Sequence, residues 1–482
     1  MKKLVAKNFV IYSLPSVFSR FVPFITLPFT TQYLNLPDFG YIAIFELCLI
    51  PFQVLIGFGP SYVINSNWYK IDNEGRKKLI FSLLVVVTGL WLLASILIGL
   101  LANWIFPLFA GEEWLRINSL LPFLFIAGFS LVPGTIFTSW VIIEQKAKLS
   151  TIVKLLQLIL GASTVILVAM YTQNYKYIIM GNVLVGVLIA IIQFFALIRV
   201  LRVSFERHWY SIIYKIGSPI YLRSFFNVLR SQFDKIMVSR LFGASQFALY
   251  NFSSKINNLF NEAGEHYQNA YDPYIYKGLS EKNLDVKNLR LIFFTWAFII
   301  MIGLSLFIFF GEHIIDVFTN GVFINSYPLV ILYTCVIVIT LPFMGNAQVI
   351  IFFKKTKYLL IITIIQAILI VTLSIILIPK FGVTAGIFSL WLGTLVYMFL
   401  YYYKKRQLYN HNFMEKIIFP YVFLYHAIAI LTFYNINSFA YLLIIILNGT
   451  LCIHFYIMNK ALFQKIFSNF SLEYISNFLF KN

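Results

Sequence analysis

Fourteen apolar runs, each of bilayer-crossing length, leave this chain few folds to choose from. They occupy residues 9–34, 40–64, 79–106, 117–143, 150–170, 177–198, 212–238, 246–276, 290–311, 327–351, 358–378, 383–403, 417–435 and 438–458. About 20 consecutive apolar residues suffice for a helix to cross the hydrocarbon layer. Inside that layer each backbone N–H and C=O needs an internal partner, which a helix supplies. The pattern predicts an all-α polytopic membrane protein of about 14 transmembrane helices. No connection exceeds about sixteen residues, so there is no room for a separate catalytic domain between helices.

Charge sets the expected orientation. The net charge is +19, from 37 Lys and Arg against 18 Asp and Glu. In a soluble protein that excess would point to nucleic acid. Here 60% of residues are hydrophobic and only 11% charged, and the basic residues cluster in connections between runs. Alternate connections, counted from the N-terminus, hold 27 Lys and Arg, whereas the opposite side holds only Arg116, Lys176, Arg240 and Lys380. Cytoplasmic loops carry such an excess. The bias predicts an even number of spans, both termini cytoplasmic, and a bacterial cytoplasmic (inner) membrane. The start, MKKLVAKNFVIYSLP, has the basic opening of a signal peptide but lacks a small-residue cleavage site, so it reads as an uncleaved first helix. Cys48, Cys335 and Cys452 fall inside spans, which argues against a disulfide framework.

A weak duplication divides the chain. Gln157-Leu-Ile-Leu echoes Gln366-Ala-Ile-Leu, and Pro37-Asp-Phe-Gly-Tyr aligns with Ser245-Gln-Phe-Ala-Leu at an offset of 208. Spans one to six then match spans seven to twelve in the same orientation, an arrangement used by transporters. The expected organisation is an N-terminal six-helix lobe over 1–208, a second over 209–410, helices thirteen and fourteen over 411–459, and an amphipathic cytoplasmic tail over 460–482.

Polar residues inside the runs mark the candidate site. The seventh run carries Arg223, Asn227, Arg230 and Asp234 at spacings of four, three and four, which stack along one helix face. A cation at membrane depth requires a partner, a wet cavity or an anionic ligand. This face is expected to line a polar cavity that accepts something negative, with local Arg230–Asp234 pairing as the plain alternative. Arg20 in the first run joins it, or pairs with Glu46 on the second. The eighth run carries Lys255, Glu262, Glu265, His266 and Asn269. Its polarity excludes a lipid-facing position. Glu262, Glu265 and His266, with Glu46 and Asp234, are candidate H+ or Na+ coupling residues, because a partly buried carboxylate or imidazole titrates near neutral pH. Mutual ion pairing is the competing reading for each alone. A Walker A sequence, a dinucleotide fingerprint, H-E-x-x-H and a Cys/His metal cluster are all missing, so neither direct ATP drive nor a metal centre is expected.

Several stretches resemble the polysaccharide transporter family of the MOP (MATE-like) superfamily, which includes the Wzx-type O-antigen and capsule repeat-unit flippases. They are Ser16-Val-Phe-Ser-Arg-Phe-Val-Pro23, Pro37-Asp-Phe-Gly40, Asp234-Lys235 leading to Leu241-Phe-Gly243 and Tyr250, and Ile378-Pro-Lys-Phe-Gly382-Val-Thr-Ala-Gly386. The resemblance covers essentially the whole chain. It implies alternating-access export of an undecaprenyl-pyrophosphate-linked oligosaccharide, with polysaccharide polymerase and chain-length regulator as neighbours. Arg20, Arg223, Asn227, Arg230 and Lys255 would then meet pyrophosphate and sugar. An ion-coupled multidrug exporter of the same superfamily is the alternative, disfavoured by the cavity's cations. A membrane glycan polymerase is disfavoured by the short outward loops.

Overall fold

The computed structural model describes residues 21–56 and 60–469. All regular structure among the described residues is helical, and fourteen passes can be followed. They are α1 (Phe21–Thr30); α2, in three pieces, Leu36–Cys48, Ile50–Ile56 and Pro60–Asn67; α3 (Asn73–Ala110); α4 (Leu121–Ile143); α5 (Ala147–Thr172); and α6 (Tyr175–Ile198). Arg207–Ser280 follows as one helical run that turns at Gly243, giving α7 before it and α8 after it. Then come α9 (Val286–Thr319); α10, broken between Tyr327–Val338 and Asn346–Phe352; α11 (Thr356–Phe381); α12 (Thr384–Leu408); α13 (Glu415–Phe433); and α14 (Asn437–Asn469).

Ten described stretches are long and apolar enough to cross a membrane by length and composition. One of them, Asn73–Ile143, contains two passes. Trp91 Nε1 donates to the carbonyl of Phe125, thirty-four residues on, which requires the chain to double back. The short described part of α1 and the polar α7 and α8 complete the fourteen.

α3 shows why hydrocarbon must surround the chain. Ala94, Ile98, Ala102 and Phe106, four residues apart, are fully buried, while Leu100 and Trp104 are 76% and 80% exposed. Both faces of this helix are apolar, and the outer one is stable only against lipid. Helix starts follow capping chemistry. Asp72 accepts from the Gly75 N–H at 2.9 Å, Asn174 from the Lys176 N–H at 2.9 Å, and Asp38 from the Asn35 N–H at 3.1 Å. Each satisfies a donor that a helix N-terminus leaves open.

The chain forms two compact units. One holds the described residues up to Phe252 with Ile314–Ser326 and Ala367–Ser389; the other holds Ser253–His313, Tyr327–Gln366 and the described residues from Leu390 on. In the second unit the α12–α13 connection closes on a buried ion pair. Lys405 Nζ lies 3.0 Å from Glu415 Oε1, with both side chains almost fully buried. The same ammonium donates to the His411 carbonyl and sits 3.9 Å from the Phe413 ring centroid. Arg290 of α9 donates to the carbonyls of Asn412 and Phe413, fixing the same turn.

The tail differs from expectation in part. α14 continues as one helix to Asn469, so residues 460–469 are joined to the span without a break. Residues 470–482 lie outside the described set. The second and tenth runs, which carry Pro51, Pro60 and Pro342 as expected bends, are broken. In α10 the break lies at Pro342 and at Gly345, whose φ of +79° is left-handed.

Candidate functional site

Gly40, Asp234, Gly243, Tyr250 and Gly386, among the residues that carried the family resemblance, meet at the α7–α8 corner in the first unit; residues 16–20 are outside the described set. Gly243 turns the chain with φ +74°. The turn brings Tyr250 back to Asp234, where its Oη donates to Oδ2 at 2.5 Å and the carboxylate is fully buried. A Cβ on Gly386, at the start of α12, would lie 2.7 Å from Tyr250 Oη. A Cβ on Gly40, near the start of α2, would lie 2.0 Å from the carbonyl oxygen of Ala244. Glu113, after α3, accepts from the Ala244 N–H at 3.2 Å. These motifs are packing joints. Missing side chains let backbone approach backbone, and one oxygen of a buried carboxylate accepts from a tyrosine.

From that corner α7 runs back through the candidate anion face. Asn227 and Arg230 are half-buried on the same side as Asp234. Arg223 lies on the helical backbone of α7, but its side chain is outside the described set, as is the whole of Arg20. Glu46 is exposed on α2. Lys255, Glu262 and His266 are half-buried and Glu265 is exposed, all on α8 within the second unit. Glu46, Arg230, Lys255 and Glu262 each engage a partner. The structure thus groups Asn227, Arg230 and Asp234 on one element of the first unit, and groups the α8 stripe in the other. Asp234 is occupied by Tyr250, a contact that the spacing of charges did not reveal.

A second feature of the first unit was missed. A cavity of about 550 Å³ lies between α2, α4, α5, α6 and α7. Ser61, Ser130, Thr138, Gln157, Gln193 and Ser224 contribute its polar lining. No charged residue is among the described residues lining it. Gln193 is 92% buried, being 8% exposed. A Cβ at Gly134 would come 3.3 Å from its Oε1, so that glycine makes the space the amide occupies. Ser61 and Ser139 share a hydrogen bond of 2.7 Å at the wall. The signal existed in the sequence as polar residues inside apolar runs, Ser130, Gly134 and Thr138 at spacings of four and Gln193 in α6. Because the lining is spread over five helices, no single period displays it.

Fourteen helical passes among the described residues, apolar outer faces and polar residues held inside define the class as a polytopic α-helical membrane protein. Solved structures agree in fold. "Lipid II flippase MurJ, inward closed conformation" superposes with a TM-score of 0.74 at 14% identity, covering 94% of this chain and 100% of that one. An inward-facing multidrug resistance MATE family transporter of the MOP superfamily superposes at 0.64 with 16% identity, covering 83% and 97%. The chain belongs to the polysaccharide biosynthesis protein family, whose model matches residues 33–318. It is also 22% identical over 369 residues to Lsg locus putative protein 1 of Haemophilus influenzae, covering 73% of this chain and 86% of that protein.

Proposed function

We propose that this protein is a flippase moving undecaprenyl-pyrophosphate-linked oligosaccharide units from the cytoplasmic to the outer leaflet of a bacterial cytoplasmic membrane, for O-antigen or a related surface polysaccharide. The observation that carries the reading is the α7 face. A polar helix read as a span, with Asn227 and Arg230 half-buried, in a chain of the polysaccharide biosynthesis family, suits an anionic lipid headgroup better than a cationic drug. Arginine's planar fork binds two phosphate oxygens at once. Arg20, Arg223, Asn227, Arg230 and Lys255 are the proposed headgroup and sugar contacts. The carboxylates and imidazole of α8 are proposed to couple transport to an H+ or Na+ gradient, with the chain alternating access and both termini in the cytoplasm. The MATE likeness keeps one competitor, a multidrug exporter.

Deletion of the gene tests this. The expected result is loss of surface glycan with accumulation of its lipid-linked precursor, restored by the wild-type gene and reduced by Arg223→Ala or Arg230→Ala at normal protein level. Unchanged surface glycan with increased drug sensitivity would favour the exporter.

A further inference from the structure

We infer that the cavity of the first unit, whose described lining residues carry no charge, is the carbohydrate subsite, holding sugar rings of the cargo while the α7 cations attend to its headgroup. The inference rests on the flippase reading above.

Three properties of the cavity select its occupant. Its volume of about 550 Å³ falls within the roughly 300–1,000 Å³ of small-molecule sites. No described lining residue carries a charge, so none of them would compensate an ionic group for its lost hydration. The wall is nonetheless rich in hydrogen-bonding groups, so an acyl chain would leave them unpaired. An uncharged, polyhydroxylated molecule fits both conditions.

The polarity of the wall sharpens the match. Ser130 and Thr135 donate their hydroxyl protons to the carbonyls of Ala127 and Val132, at 2.6 and 3.1 Å. Their oxygens remain as acceptors. Gln193 supplies two N–H donors and a carbonyl oxygen, and no hydrogen bond of its side chain is found among the described residues. A buried amide without a protein partner calls for a ligand or water. A sugar hydroxyl both donates and accepts, and so can answer acceptor and amide together. Tyr62, also on the lining, offers an aromatic face to the apolar side of a pyranose.

Position links the subsite to the headgroup face. Ser224 of α7 borders the cavity. Asn227 follows three residues later, about 60° around the helix, and begins the polar face that continues to Arg230. One helix therefore touches the cavity on one side and presents Arg230 on the next.

The test uses the full-length protein in membranes, in a Cys452→Ser background because Cys452 is the exposed native cysteine among the described residues. Thr138→Cys is labelled with N-ethylmaleimide in membranes from cells that make the lipid-linked glycan and from cells blocked in its first sugar transfer. Slower labelling when the glycan-bearing lipid is present supports the inference. Equal labelling in both overturns it, as does slow labelling in both, which would mark a lipid chain or detergent as occupant. In parallel, Gln193→Leu is expected to lower surface glycan about tenfold at normal membrane level, the loss of one or two hydrogen bonds. Full display by Gln193→Leu would also overturn the subsite while leaving the flippase reading intact. That reading falls only if gene deletion leaves surface glycan unchanged.

Discussion

At the scale of single residues, glycines and one tyrosine decide whether the α7–α8 corner closes. Gly40→Ala places a methyl 2.0 Å from a backbone oxygen that cannot swing away. We expect a loss of at least about 3 kcal/mol, read as reduced membrane level and a lower unfolding temperature in detergent. Tyr250→Phe leaves Asp234 without its donor and should cost about 1–3 kcal/mol. Gly386→Ala crowds the same hydroxyl at 2.7 Å. The double variant Tyr250→Phe/Gly386→Ala should therefore be less damaging than the sum of the two, because removing the oxygen makes room for the methyl. Strict additivity in thermal unfolding would refute this joint. These positions were legible in the sequence only as loose signature residues. Asp234, Gly243, Tyr250 and Gly386 stood out as letters, but their mutual contact depends on a hairpin and on a helix over 130 residues away. Asp234 was read as a charge on a cavity face, whereas a buried carboxylate holding a tyrosine is what the fold makes of it.

At the scale of elements, two connections are fastened by charge and differ in burial. Lys405–Glu415 is enclosed. Lys405→Met leaves an uncompensated buried carboxylate and should destabilise by about 3–5 kcal/mol. Lys405→Met/Glu415→Leu should recover most of that in the same melt. The segment 199–206, between α6 and α7, is held to the start of α3 by exposed pairs, Arg202 with Glu74 and Lys78 with Glu206. The Arg202 N–H also donates to the Lys77 carbonyl at 3.2 Å, and Phe81 meets Phe205 edge to face. The hydrogen bond from Lys78 holds the Glu206 carboxyl below the usual carboxylate range. A depressed carboxyl stabilises the folded form above its unfolded pKa and loses that contribution as pH falls through the folded value. The clasp should thus be intact at neutral pH and loosen only in acid. Glu206→Gln at pH 7 should reproduce the acid effect as faster amide exchange over 199–206. Neither fastening could be read from sequence, since spacing does not tell which lysine of a basic loop turns inward.

At the scale of the whole molecule, the sequence was most informative. Helix count followed from run length, which kept the polar α7 and α8 in the count, and the alternation of basic connections pointed to the same even number. The breaks in α2 and α10 were less visible, because proline inside an apolar run marks a bend without giving its size. Sidedness makes a direct prediction. Activity reporters fused after residues 70, 146 and 282 should report one side of the membrane, and those after 116, 176 and 320 the other. Two adjacent fusions on the same side would remove a pass from the count.

Lys405 has a double life. While the growing chain is being threaded, it would count among the basic residues at the end of a span and so help decide which way the neighbouring helices point. Once α12 and α13 come together, that same ammonium disappears into the interior beside Glu415. Replacing it with arginine would preserve the early vote but not the late fit, so biogenesis and durability can be separated at a single position.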